Sequence, residues 1–163
     1  MLPKRHSKQA YLTRYIDYEL DELIEDLSGI AIDGPKGVGK TATASLRSDV
    51  VLTLDDVAVR QVVEADAKRQ LTAKSVVCVD EWQNYPPVWD MVRRLIDDKV
   101  ATTFLLTGSA SPVVGTTTHS GAGRIISLRM RPLSLAERTG TQPTVFIHDL
   151  FEREADIAGN SDF

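Results

Sequence analysis

Eight consecutive residues carry the strongest chemical signal in this 163-residue chain: Gly34-Pro35-Lys36-Gly37-Val38-Gly39-Lys40-Thr41. Gly34, Gly39, Lys40 and Thr41 fit G-x-x-x-x-G-K-[ST], and each part of that pattern has its own physical reason. Glycines let backbone N–H groups converge on a phosphate without Cβ clashes. A helix opening where the loop ends turns its unsatisfied donors toward the same anion. The Lys40 ammonium reaches β- and γ-phosphates, and the Thr41 hydroxyl is a ligand for Mg²⁺. The whole stretch, Gly34 to Thr41, therefore reads as a binding loop for a triphosphate, taken to be that of ATP with Mg²⁺. The guanine-reading pattern Asn-Lys-x-Asp occurs nowhere in the chain, which argues against GTP.

About 40 residues later, Val76-Val77-Cys78-Val79 runs into Asp80-Glu81. In a phosphate-loop fold an acid at the end of such a strand lies beside the metal and holds it through its water shell, which is the role expected of Asp80. Glu81 is then free to orient or deprotonate an attacking water. That second acid separates a water-activating ATPase from a nucleotide or small-molecule kinase, which needs no such base. A fourth apolar run, Thr103 to Leu106, ends in Thr107-Gly108-Ser109. A hydroxyl here is placed to meet the γ-phosphate or the water. Thr107 and Ser109 both qualify, although Ser and Thr also favour ordinary turns. Arg124 closes the glycine-rich stretch His119-Ser120-Gly121-Ala122-Gly123. It is a candidate to stabilise transition-state charge, in its own chain or in a neighbouring copy of a homo-oligomer. Arg129 and Arg131 read as a solvated or partner-facing stripe.

The elements that must position these groups follow from hydrophobic spacing. Residues 8–27 carry Tyr11, Tyr15, Tyr18, Leu23, Ile24 and Leu27 at mostly helical spacing, with Ser7 as the expected N-cap and Gly29 as the stop. Tyr11 and Arg14 on that helix are candidates to flank the adenine. Ile30-Ala31-Ile32 is a strand leading into the loop, and a helix follows from Lys40 to about Leu46. Val50 to Leu54 is a second strand. Asp55 or Asp56 caps a helix expected over 57–71. Val76 to Val79 is the third strand. Pro86-Pro87 opens a helix with the face Val88, Met91, Val92, Leu95 and Ile96. Strands follow over 103–106 and 125–130, joined by a Gly/Ser/Thr-rich loop. Ser134 and Glu137 have capping-box spacing and start a last short helix. Continuous apolar strands alternating with amphipathic helices specify an α/β fold with a mostly parallel sheet covered on both faces. Trp82, Tyr85 and Trp89 are expected to pack at the sheet edge.

Composition limits the alternatives. The length suits one core. The net charge of −4 gives no reason to expect nucleic acid or anionic membrane as the default partner. Cys78 is the only cysteine, so no internal disulfide forms, in keeping with a reducing compartment. No run approaches the roughly 20 apolar residues of a membrane span, and the basic N-terminus lacks the apolar core of a secretory signal. A cytoplasmic protein is expected.

Several stretches together resemble a prokaryotic family of AAA-type ATP-binding proteins. They are the phosphate loop, Asp80-Glu81-Trp82-Gln83, Leu106-Thr107-Gly108-Ser109, the segment ending at Arg124, and Met130-Arg131-Pro132-Leu133-Ser134-Leu135-Ala136-Glu137. The resemblance runs from about Tyr11 to Leu150. It implies a three-layer phosphate-loop fold with a five-stranded parallel sheet in the order 5-1-4-3-2. It also implies Lys40 and Thr41 on phosphate and metal, Asp80 and Glu81 on metal and water, and Thr107 or Ser109 as a polar sensor. Family members normally continue into a C-terminal effector domain. The expected organisation here is an N-terminal helix over 1–28, the ATPase domain over 29–150 and a tail or further segment over 151–163, without the helical lid. Hydrolysis that drives or switches an effector is the reading this implies. A nucleotide-binding regulatory module with little hydrolysis is the alternative.

Overall fold

The computed structural model describes residues 11–108 and 123–140. Five strands, β1 (Gly29–Asp33), β2 (Val50–Thr53), β3 (Val76–Asp80), β4 (Thr103–Thr107) and β5 (Ile126–Arg129), pair in parallel in the order β2-β3-β4-β1-β5. Read from the other edge this is the 5-1-4-3-2 order that the resemblance implied.

Strand residues point alternately to the two faces, and both faces are apolar, which is why the strands read as unbroken hydrophobic runs. Ile30, Ile32, Cys78, Leu105 and Leu128 point to one face, where they bury Leu20 of α1 (Tyr15–Asp26) and Ala44 of α2 (Lys40–Ser45). Ala31, Val77, Val79, Phe104 and Leu106 point to the other. That face packs on Val63 of α3 (Val57–Ala65), Leu71 of α4 (Ala67–Leu71) and Val88, Val92 and Leu95 of α5 (Pro87–Asp97). Trp82 and Trp89 lie in this second core with ring centroids 4.8 Å apart, and Tyr85 packs against it. Cys78 is fully buried; burial, ahead of the nearby Asp80, pushes its thiol up to about 12, so it acts as a small hydrophobe.

Three elements differ from the sequence expectations. Helix α1 begins at Tyr15 rather than near residue 8, and Ser7 lies outside the described residues. Arg14 is extended and its N–H donates to the Asp17 carboxylate at 2.6 Å, which caps the helix there. The same Asp17 accepts from the Tyr11 hydroxyl at 2.7 Å, and that hydroxyl also bonds Thr43 at 2.8 Å, so residues 11–14 are held by tertiary bonds instead of helical ones. Second, the single helix expected over 57–71 is two. Asp66 leaves the helical region and its carboxylate accepts from Arg69 N–H, ending α3 and capping α4. Third, Gly29 does not stop α1 but is the first residue of β1, packed closely under Ile96 and the Arg124 carbonyl.

The chain divides into two units, Met1–Pro132 and Leu133–Phe163. The first holds the sheet and α1 to α5. In the second, α6 (Leu135–Thr139) has the expected capping box. The Ser134 hydroxyl accepts from Glu137 N–H at 3.2 Å, and the Glu137 carboxylate accepts from Ser134 N–H at 2.7 Å. Among the described residues no helix is long and apolar enough to cross a membrane.

Candidate functional site

Parallel strands bring their carboxyl ends to one edge, and the loop, Asp80, Glu81 and Thr107 gather there. Strand β1 ends at Asp33 and turns into the loop. Gly34, Gly37 and Gly39 all have positive φ. At Gly34 the requirement is absolute, because a Cβ would stand 2.2 Å from the Met130 carbonyl oxygen. The backbone after β5 thus forms a floor for the loop. Met130 N–H also donates to Asp33 O at 2.7 Å, which fixes this floor to the end of β1.

The side of the loop is held by Arg14. Its guanidinium is buried and donates to the Val38 carbonyl at 2.8 Å and to the Arg131 carbonyl at 2.7 Å. Arg14 is therefore a brace for the loop backbone; its side chain engages Val38 and Arg131, and the adenine-flanking place suggested for it gains no contact in its favour.

Lys40 is 6% exposed and its ammonium donates to Gly34 O at 2.9 Å and Pro35 O at 2.8 Å. The charge is thereby held inside the curve of the loop. Pro35, Lys36 and Gly37 stand exposed at its crest, and Val38 packs on the α1 side of the core. Helix α2 has six residues, so the loop backbone and Lys40, more than a long helix dipole, make this corner attractive to anions.

Asp80 and Thr107 face each other in register at the ends of β3 and β4. Both are buried, and the Thr107 hydroxyl donates to Asp80 Oδ1. Thr41, one residue into α2, donates its hydroxyl to the same oxygen at 2.7 Å. One carboxylate oxygen therefore collects two hydroxyls from elements 27 and 39 residues away. The two hydroxyls on Oδ1 offset part of the cost of burying this carboxylate. Between the two candidates after β4, Thr107 is the one on the acid; Ser109 lies outside the described residues.

Glu81 follows at φ 52°, ψ 45°, a left-handed conformation costly for a residue with a Cβ. Its carboxylate accepts from the Gln83 side-chain amide. With Lys36, Gly37, Gly39, Lys40, Thr41 and Ala42 it lines a hollow of about 280 Å³.

A family model described as an AAA domain matches residues 28–139. The chain belongs to the AAA domain family. No curated protein matches it. As an AAA domain it is a nucleotide-binding, ATPase-like module, and the match takes in the loop, both acids and the end of β4. Arg14 precedes the matched segment. No motif marked it as a brace; the only hint was an arginine beside apolar helix positions.

One candidate of the AAA domain is not brought to the hollow. Arg124 sits before β5 begins, at the amino edge of the sheet, and pairs with Asp97 at the end of α5. Strand β1 alone, five residues long, puts roughly 13 Å between the two edges. A role for Arg124 at the loop of its own chain is corrected accordingly. The sequence signal, a cation after a glycine-rich stretch, says nothing about which end of the strand carries it.

Proposed function

We propose that this AAA domain binds ATP with Mg²⁺ in the loop from Gly34 to Thr41 and hydrolyses the γ-phosphate. The observation that carries the reading is that Lys40, Thr41 and Glu81 line one hollow at the carboxyl edge of the sheet, with the buried Asp80 bonded to Thr41 beside it. Backbone N–H groups of the glycine loop would receive phosphate oxygens, and the Lys40 ammonium would neutralise charge on the β- and γ-phosphates.

The residues present fit a magnesium ion. The Thr41 hydroxyl and the Asp80 carboxylate are hard oxygen donors already 2.7 Å apart. Few protein ligands are what Mg²⁺ takes, since phosphate oxygens and water complete its shell. Bound there, the ion supplies positive charge where negative charge develops on the transferred group. Thr107 holds Asp80 in place from β4. Glu81 is the general base, orienting a water and accepting its proton. Arg124 is left out of this site and pairs with Asp97 instead.

The Glu81–Gln83 bond favours a second reading, in which the base is restrained and the domain is chiefly a nucleotide-dependent switch with slow turnover. Magnesium-dependent phosphate release by the wild-type chain and by Glu81→Gln, beside titration of both with a slowly hydrolysed ATP analogue, separates the two. Hydrolysis predicts equal analogue binding and at least about 100-fold slower release in the variant. Equal release by both proteins would remove Glu81 from the mechanism. Binding without release in either would favour the switch.

A further inference from the structure

The turn after Glu81 carries a residue to which neither the loop pattern nor the acidic pair assigns a task. Gln83 lies in a short 3₁₀ turn, Trp82–Asn84, and its side chain reaches back two positions to the Glu81 carboxylate. The turn itself is firm. Asn84 N–H donates to Glu81 O at 2.9 Å, and Tyr85 N–H donates to Trp82 O at 3.0 Å. Trp82 is 3% exposed and stacked at a tilt on Trp89, so its indole has little room to move.

Against this turn lies Gly108, the buried residue that follows Thr107. A Cβ at Gly108 would stand 2.6 Å from Gln83 Oε1 and 2.8 Å from Trp82 Nε1. Both distances are shorter than van der Waals contact. The indole is pinned, so the flexible amide of Gln83 would be the group to give way. Two consecutive residues at the end of β4 thus reach the two acids that follow β3's apolar run by different routes. Thr107 contacts Asp80 directly, and Gly108 contacts Glu81 through Gln83.

We infer that Gln83 is a positioning residue for Glu81, and that Gly108 sets the position of Gln83. The amide donates to one carboxylate oxygen, which limits the rotamers of Glu81 and leaves the other oxygen to face a water. The left-handed backbone at Glu81 aims the side chain, and Gln83 holds it there. The absence of a side chain at Gly108 is what makes room for that amide. This inference rests on the reading of Glu81 as the base, but the contact itself can be tested apart from turnover.

The experiment uses the full chain and three variants. Gln83→Met keeps the length and bulk of the side chain but removes the donor. Its affinity for the ATP analogue should match wild type and its KM should stay unchanged, while kcat falls about tenfold, the rate equivalent of one charge-assisted hydrogen bond. A fall in affinity equal to the fall in rate would mean a merely structural role, and an unchanged kcat would overturn the assignment. In parallel, the Gln83 side-chain amide is followed by NMR in glutamine-labelled protein. Its resonances should move in Glu81→Ala and again in Gly108→Ala, the latter with the kcat loss of Gln83→Met. If wild type releases no phosphate, the hydrolysis reading fails, and the amide resonances alone decide this inference. Resonances unmoved in both variants would sink it; movement in both would sustain it.

Discussion

The two edges of the parallel sheet treat polar side chains in opposite ways. At the amino edge the charged ones are exposed staples. Arg124 and Asp97 pair with side chains 41% exposed each, and the exposed Asp49 accepts from Val76 N–H at 2.9 Å; the buried Thr102 donates instead to a main-chain carbonyl, Lys74 O, at 3.2 Å. At the carboxyl edge the exposed Thr41 and the half-buried Glu81 stand beside a buried group of polar side chains. Asp80 and Thr107 are 5% and 1% exposed, and Lys40 is folded into its own loop. Water can take over a bond lost at the first edge but not at the second. The proposed chemistry is accordingly placed at the carboxyl edge, where a carboxylate is buried.

Four changes would break or sharpen this contrast. The largest effect is expected from Lys40→Ala at the carboxyl edge. Affinity for the ATP analogue should fall at least about tenfold, by loss of a charge-assisted contact, with the fold intact by circular dichroism. Undiminished binding would mean that the hollow is not the nucleotide site. Next is Thr107→Val, which keeps the shape but leaves the buried Asp80 short of a donor. Urea denaturation should show a loss of about 1–3 kcal/mol at unchanged m-value. A loss near zero would place Asp80 in contact with water and erase the distinction between the edges.

Arg124→Ala at the amino edge should cost at most about 1 kcal/mol and leave nucleotide affinity untouched. Turnover that fell in this variant and depended on protein concentration would instead restore a role in a neighbouring copy. The smallest effect concerns Asp33, the last residue of β1. Burial, opposed by a bond from Ser127 and by the charges of Lys40 and Arg129, raises its carboxyl above the ordinary 3.8. The folded chain therefore holds this proton more tightly than the unfolded one. Ionised Asp33 opposes folding above its folded value, and that opposition disappears as pH drops below 3.8. Asp33→Asn should accordingly raise the melting midpoint slightly at pH 7, and the gain should vanish near pH 3.5. A gain that persisted in acid would rule out the titration of Asp33 as its cause.

Local chemistry made much of the molecule legible from the chain alone. The loop, the acid pair after β3, the proline-opened α5 and the Ser134–Glu137 box each depend on residues a few positions apart. Their outcomes follow from steric freedom, capping and apolar spacing within one element. The runs Ile30-Ala31-Ile32, Val76 to Val79 and Thr103 to Leu106 announced strands covered on both faces, because both of their faces are apolar. What the chain alone could not decide were the partners of polar side chains from distant segments. Arg14 braces a loop 24 residues away and a carbonyl 117 residues away, while its N–H on Asp17 and the Tyr11–Thr43 bond accompany the start of α1 at Tyr15. Thr107 is chosen by its register opposite Asp80, Arg124 is taken by Asp97, and Gln83 is set by the approach of Gly108. A hydrogen bond needs its two groups within about 3 Å, and only the order and register of the strands bring such groups together.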